Sequence, residues 1–342
     1  MRSRAERWQL LKRVAAQLEA QEDAGALERD LGLDPGELAE RLGEDRFRFV
    51  EALELLEHGE LAQGVGVFRA HWSDLSGGLG ARLAHHVLAG RTALVLSDPR
   101  LPRAAERFAL ACEAAELPAG VVTLLHDDTR ESSEAALGSA GLAFVRWKDH
   151  DERLDELGTR FRARVETSWE LWRAANVSRH VRASDDPALA ASEVADRFIA
   201  RSSTLFGQLP GSTGRVLCHE RVFSRFSEEL LVLLERSPAL ARPVPFLEAD
   251  LGDHVADAWS LGLDEGATPI FGAAPGEADS SPGAESSGAI VFTNVEPRSG
   301  FARRTRPAPV LGLLRVSSDE EAAELQRELD GPPKRLIRAR LD

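Results

Sequence analysis

GVGVF (64–68), LGARLAHHVLAG (79–90), TALVLS (92–97), PRAAERFALACEAAEL (102–117) and GVVTLLH (120–126) follow one another along the chain. The first, third and fifth are short apolar or β-branched runs, and the second and fourth carry apolar residues at helical spacing. The order predicts strand, helix, strand, helix, strand. Compact apolar strands separated by amphipathic helices build a parallel sheet with crossover helices, so the fold class is α/β. LAFVRW (142–147) adds one more short strand.

Upstream, Trp8, Leu11, Val14, Ala15 and Leu18 recur at helical spacing, as do Phe49, Leu53 and Leu56, with a break at Asp34-Pro35-Gly36. Residues 1–60 are therefore expected to be a helical amino-terminal segment. Downstream a second α/β cycle begins near Ser192, with a helix to about Phe206, the strand RVLCHE (215–220), the helix FSRFSEELLVLLERS (223–237), a helix over 253–261 and the strand TPIFG (268–272). The expected domains are a sheet domain over 61–185, a second α/β domain over 186–330 and a charged tail, 331–342. An Arg-rich stretch, 159–182, joins the cycles, and GAAPGEADSSPGAESSG (272–288) reads as a surface loop.

With 342 residues, 43% hydrophobic and 29% charged, the chain is long enough for a sizeable core. Its net charge of -14, from 42 Lys and Arg against 56 Asp and Glu, repels phosphate backbones, so neither nucleic acid nor an anionic membrane is expected as a partner. Two cysteines, Cys112 and Cys218, are too few for a disulfide framework or a thiolate metal site, and a cytoplasmic setting is expected. No apolar run approaches the ~20 residues of a membrane span. Tyr is absent, which excludes a phenolic acid.

GQLPGSTGRVLCHE (207–220) resembles the aldehyde dehydrogenase segment in which Gly-Gln precedes the nucleophilic cysteine and a strand of the form RVxVHE follows. AGRTALVLSDPRLPRAA (89–105) is similar to the family's AGNTVVLKPSExTP, and ELPAGVVTLLHDD (116–128) to its GLPPGVVNVVxGD. Trp72 stands 18 positions before Gly90, as the Trp of PWNFP stands before the Gly of AGN. IVFTNVEPRSGFARRTRPAPVLGLLRV (290–316) resembles the PTVLTDVxPxMxxxxEEIFGPVxxV region. The resemblance covers roughly residues 5–325 in collinear order, without a counterpart of the family's carboxyl-terminal portion, and implies an aldehyde-dehydrogenase-like fold.

The family's chemistry needs a thiolate nucleophile, an oxyanion donor, a carboxylate base and a bound NAD or NADP. By the resemblance the nucleophile position is Pro210, which has neither a nucleophilic atom nor a backbone N–H. Cys218, eight residues on, lies in an apolar strand and Cys112 on an apolar helix face, and both read as buried, inert thiols. The oxyanion donor corresponds to Ser73 and the base to Glu170, a residue expected to be solvated or ion-paired. In the nucleotide site the ribose-binding Lys corresponds to Leu96 and the Glu after it to Pro99. The glycine turn of FTGS corresponds to Phe144-Val145-Arg146-Trp147, and the Glu of EEIFGP to Thr305. The resemblance therefore implies a member lacking the catalytic cysteine and most nucleotide-binding residues, with Glu170 and Ser73 as vestiges and no cofactor expected. A non-catalytic interaction or regulatory partner follows, either a homo-oligomer or a companion of an active aldehyde-dehydrogenase-type subunit. The alternative is an NAD(P)-dependent oxidoreductase with a rearranged site.

Other groups read as structural. Ser76-Gly77-Gly78-Leu79-Gly80 opens a helix and could present N–H groups to an anion, with a structural turn as the expected role. His85 and His86 are adjacent, hence on different faces, and make a poor metal site. His126-Asp127-Asp128 and Asp149-His150-Asp151 read as turns and caps, so no metal is expected. Arg298, Arg303, Arg304 and Arg306 form a basic cluster that either faces solvent or meets a carboxylate-rich partner.

Overall fold

The computed structural model describes residues 3–20, 27, 35–54, 64–126, 135–138, 142–149, 155–159, 168–199, 207–237, 240, 244–246, 248, 250–275 and 286–330. Asp127, Asp128, His150, Asp151 and the 331–342 tail lie outside these residues. The chain divides after Arg173 into two compact units.

The first unit opens with helices α1 (Arg4–Ala20) and α2 (Pro35–Glu54). Strand β1 (Val65–Arg69), a 3-10 turn (Trp72–Asp74), α3 (Leu75–Leu88), β2 (Thr92–Leu96), α4 (Pro102–Ala114), β3 (Val122–Leu125), β4 (Leu142–Asp149) and β5 (Ser168–Arg173) follow. The five strands form one sheet in the order β3-β2-β1-β4-β5, all pairings parallel. Pro102 starts α4 at a position where the missing N–H costs nothing. Leu79, Leu83 and Val87 recur on one side of α3 and pack with Phe49, Phe108 and Phe68 against one face of the sheet. On the other face Val67, Leu96, Val145, Trp147 and Trp169 form a second cluster. The amino-terminal helices share this core through Leu11, Val14 and Leu18, so residues 4–54 are part of the first unit.

The second unit contains β6 (Val177–Val181), α5 (Pro187–Ile199), β7 (Thr213–His219), α6 (Glu220–Glu235), β8 (Val244–Pro245), α7 (Leu251–Asp264), β9 (Thr268–Phe271), β10 (Ser286–Ser287), β11 (Ile290–Val295), β12 (Val310–Val316) and α8 (Asp319–Asp330). Its main sheet has the order β6-β7-β12-β11-β9, parallel except for the edge strand β9. All seven residues of β7 are buried, as a central strand covered on both faces requires. His219 caps α6, its Nδ1 accepting the Arg221 N–H at 3.2 Å.

The Arg-rich stretch 159–182 contains two strands among its described residues. β5 pairs with β4 of the first sheet and β6 with β7 of the second. The two compact units part between these strands, after Arg173. Among the described residues no helix is long and apolar enough to cross a membrane.

Candidate functional site

In the first unit the charged residues gather beyond the carboxyl ends of the strands, where a parallel sheet offers its crevice. The turn after β1 carries His71, Trp72, Ser73 and Asp74. Lys148, near the end of β4, places its Nζ 2.9 Å from Ser73 Oγ and 2.6 Å from Asp74 Oδ1. Arg82 of α3 pairs with the other Asp74 oxygen. Burial alone would raise the Asp74 pKa, but Lys148 and Arg82 together hold it below the usual carboxylate value. Burial pushes Lys148 below the usual lysine value, with Asp74 opposing. The network continues into the sheet, where the Arg146 guanidinium donates to the Arg82 carbonyl and to Glu170, with Nε 2.6 Å from Oε2. Arg146 and Glu170 stand opposite each other in the β4–β5 register, which makes the pairing possible.

At its other end the network reaches α2. The buried Asp45 carboxylate accepts the N–H groups of Gly77 and Gly78, the latter at 2.6 Å, at the amino end of α3. An added Cβ would lie 2.6 Å from the Asp45 carbonyl oxygen at Gly77 and 2.7 Å from Asp45 Oδ1 at Gly78, which explains the two glycines. Burial, with Asp74 adding to it, outweighs these hydrogen bonds and pushes Asp45 up to about 7. The glycine run opens the helix as expected, and the chain's own Asp45 carboxylate accepts its N–H groups.

The positions singled out by the resemblance can now be located. Glu170 is 8% exposed and bound to Arg146, so it is ion-paired and not solvated. Arg146 and Trp147 lie inside β4, which runs on to Asp149 where the family pattern implies a glycine turn. Trp147 is buried among Val67, Val145 and Trp169, and its Nε1 donates to Asp149 at 3.2 Å. Leu96 ends β2 fully buried, and Pro99 is exposed in the next turn. Beside them sequence reasoning missed Asp98, buried, which accepts the Trp72 N–H at 3.0 Å and binds the Arg100 guanidinium at 2.7 Å. Ser73, Arg82, Arg146, Lys148 and Glu170 form one connected group.

Pro210 and Thr305 belong to the second unit. Pro210 is half-buried in the Gly207–Gly211 turn before β7, and the Gly211 N–H donates to the Ala175 carbonyl at 2.7 Å. Gly207 has φ +75 and an added Cβ would meet the Ala308 oxygen at 2.3 Å, so only glycine fits. The Thr305 carbonyl accepts the Asn176 N–H at 2.8 Å. Cys218 is fully buried in β7 and Cys112 is 5% exposed in α4; burial pushes both thiols up to about 12. Arg306 pairs with Glu248 at 2.6 Å and with Asp250, and Arg303 and Arg298 reach Glu328 at 3.4 and 3.8 Å. Arg298, Arg303 and Arg306 thus meet carboxylates of their own unit, while Arg304 donates to the Phe301 carbonyl at 3.1 Å.

His86 is buried, its Nε2 2.8 Å from the Thr92 oxygen, and burial pushes its pKa down to about 4. His126 lies 3.2 Å from Ser97 Oγ and 3.3 Å from Glu106. Among the described residues no three His, Cys, Asp or Glu side chains are placed to hold a metal ion.

The family model of aldehyde dehydrogenases matches residues 79–328. No curated protein sequence gives a significant match. Among solved structures, an NAD-dependent benzaldehyde dehydrogenase from Corynebacterium glutamicum is 18% identical, with a TM-score of 0.79, covering 96% of this chain and 74% of its own. A lactaldehyde dehydrogenase gives a TM-score of 0.82 at 16% identity, over 96% and 72% of the two chains. An aldehyde dehydrogenase from Bartonella henselae gives 0.78 at 19%, over 96% and 73%. These likenesses speak for the fold, and the family model, covering most of the chain, speaks for descent: the protein belongs to the aldehyde dehydrogenase family.

Proposed function

We propose that this chain does not oxidise aldehydes with NAD or NADP and works through protein contacts, as a regulatory or assembly partner of an active aldehyde-dehydrogenase-type subunit or of a second copy of itself. The observation that carries this reading is the Arg146–Glu170 pair. A general base must keep a lone pair free for the proton it takes. Here the carboxylate at the family's base position is buried against a guanidinium that is itself anchored to α3.

The remaining positions support the same reading. Pro210 offers no nucleophilic atom, and the two cysteines are buried with thiols far above the pH at which a thiolate forms. A dinucleotide needs donors for its ribose and pyrophosphate. Leu96 and Pro99 supply none, and the place of the glycine turn is taken by mid-strand residues, one a buried Trp and the other an Arg bound to Glu170. These positions do not fit the nucleotide. For the interaction half of the reading, β3 and β5 are the two outer strands of the first sheet among the described residues, and such edges can pair with another chain.

The test is NADH or NADPH formation by the purified chain with a panel of aliphatic and aromatic aldehydes, where none above the no-enzyme rate is expected. Sedimentation equilibrium of the same preparation, alone and mixed with an active family member, is expected to report a species larger than the monomer. Turnover that disappears in Glu170→Gln would overturn the first half of the reading, and a monomer in both mixtures the second.

A further inference from the structure

The first sheet changes winding direction between β1 and β4, and at such a reversal doubly wound sheets place their reactive groups, beyond the strand ends. His71 and Ser73 follow β1 at this point, and Lys148 belongs to β4. Ser73 Oγ lies 2.7 Å from His71 Nδ1, and the same nitrogen accepts the Ser73 N–H at 3.2 Å. An Nδ1 that accepts an N–H carries no proton, so the hydroxyl donates to it and is free to accept from Lys148 at 2.9 Å. The imidazole is oriented, being buried and stacked on Trp72 with ring centroids 5.7 Å apart. Two residues on, Leu75 adopts φ 45 and ψ -158, a conformation that costs a leucine energy and that clusters at reactive turns.

We propose that Ser73 is a nucleophilic hydroxyl, with His71 as its base and Lys148 as the cation beside its oxygen, that accepts the acyl group of a carboxylic ester. The inference goes beyond the function proposed above, since it needs neither a thiol nor a nicotinamide. In the step, the Ser73 O–H proton passes to His71 Nδ1 while Oγ bonds to the carbonyl carbon. The ester C–O bond then breaks, and the alcohol leaves with the proton returned from His71. Water, deprotonated by the same nitrogen, releases the acid and restores the serine. Oxidation states are unchanged throughout. Of the charges nearest the oxygen, Lys148 and Arg82 outnumber Asp74 by one, which favours the negative charge that develops on the carbonyl oxygen. Ser73 is half-buried, whereas both cysteines are buried.

The experiment uses the full chain and p-nitrophenyl acetate, following p-nitrophenol release and locating the acetyl group by peptide mass spectrometry. The expected result is acetylation of Ser73, with release at least tenfold slower in Ser73→Ala and in Lys148→Met, partly restored in Lys148→Arg, and unchanged in the Cys112→Ala, Cys218→Ala double variant. Should Ser73→Ala fail to fold by circular dichroism, Ser73→Cys decides: acetylation at position 73 supports the proposal and its absence overturns it. Acetyl found only on lysines or cysteines, or a folded Ser73→Ala that releases p-nitrophenol at the parental rate, also overturns it.

Discussion

The two units bury charge in different ways. In the second, beside the Arg306–Glu248 pair, the most buried charge is one arginine: Arg215, 2% exposed in β7, donates to Ser178 Oγ at 2.9 Å, to the Ala302 carbonyl at 3.0 Å and to Asp330 at 2.9 Å. Its partners come from β6, the loop before β12 and the end of α8, so a single guanidinium with several fixed donors holds three segments. In the first unit charge is spread over Asp45, Asp74, Arg82, Arg146, Lys148 and Glu170, on two helices, one turn and two strands. The second arrangement is a clasp whose donors all end on protein. The first lies around the turn after β1 and the end of β4, and it sets the Ser73 hydroxyl between His71 and Lys148. Buried charge is gathered on one guanidinium in the second unit and shared among several side chains in the first.

This contrast can be broken most sharply at Arg215. Replacing it with Met takes the donor from the Ala302 and Arg304 carbonyls and the cation from Asp330, which keeps its bonds from Ser178, and removal of one partner of a buried pair costs about 3–5 kcal/mol. The second unit should lose that much stability, read from urea unfolding through Trp259, the one tryptophan after residue 172; a loss under 1 kcal/mol would show that the clasp is dispensable.

A smaller effect is expected for Glu170→Gln, about 2 kcal/mol in the first unit, because Arg146 keeps its bond to the Arg82 carbonyl and can still use the amide oxygen. The double variant Arg146→Met, Glu170→Met should recover most of the loss, since apolar replacement of a whole buried pair is often neutral. A double variant worse than the single one would mean that the pair stabilises the unit beyond filling space.

The smallest effect is the pH dependence set by Asp45. Its folded value, about 7, lies above the ordinary 3.8, so the folded unit binds this proton more tightly than the unfolded chain does. The stability it brings is whole below pH 3.8 and is lost as pH rises towards 7, by about 1 kcal/mol per pH unit in that window. Unfolding of the first unit followed from pH 5 to 8 should show this slope in the parent and lose it in Asp45→Asn. An equal slope in both would assign the proton to another group.

Much of this was legible in the chain. The strands GVGVF, TALVLS, GVVTLLH and RVLCHE carry enough apolar and β-branched side chains to declare a parallel sheet, and the helices between them show their buried faces at every third or fourth residue. SWELWR did not read as a strand because its Glu and Arg break the apolar run, and a strand can bury such residues only when a partner waits on the neighbouring strand. The basic cluster at 298–306 was equally ambiguous, since Glu248 and Glu328 lie far from it in sequence.

The amino-acid sequence by itself determined the inventory and the local geometry: a proline at 210, a leucine at 96, two cysteines on apolar faces, and the alternation of helix and strand. These follow from side-chain chemistry and from hydrogen bonding within a few residues. Which charges meet was decided only by the tertiary structure. Arg146 finds Glu170 across 24 positions, Gly77 finds Asp45 across 32 and Lys148 finds Ser73 across 75. Electrostatic attraction depends on separation in space and on the loss of water around the pair, and both are set by how the strands and helices pack.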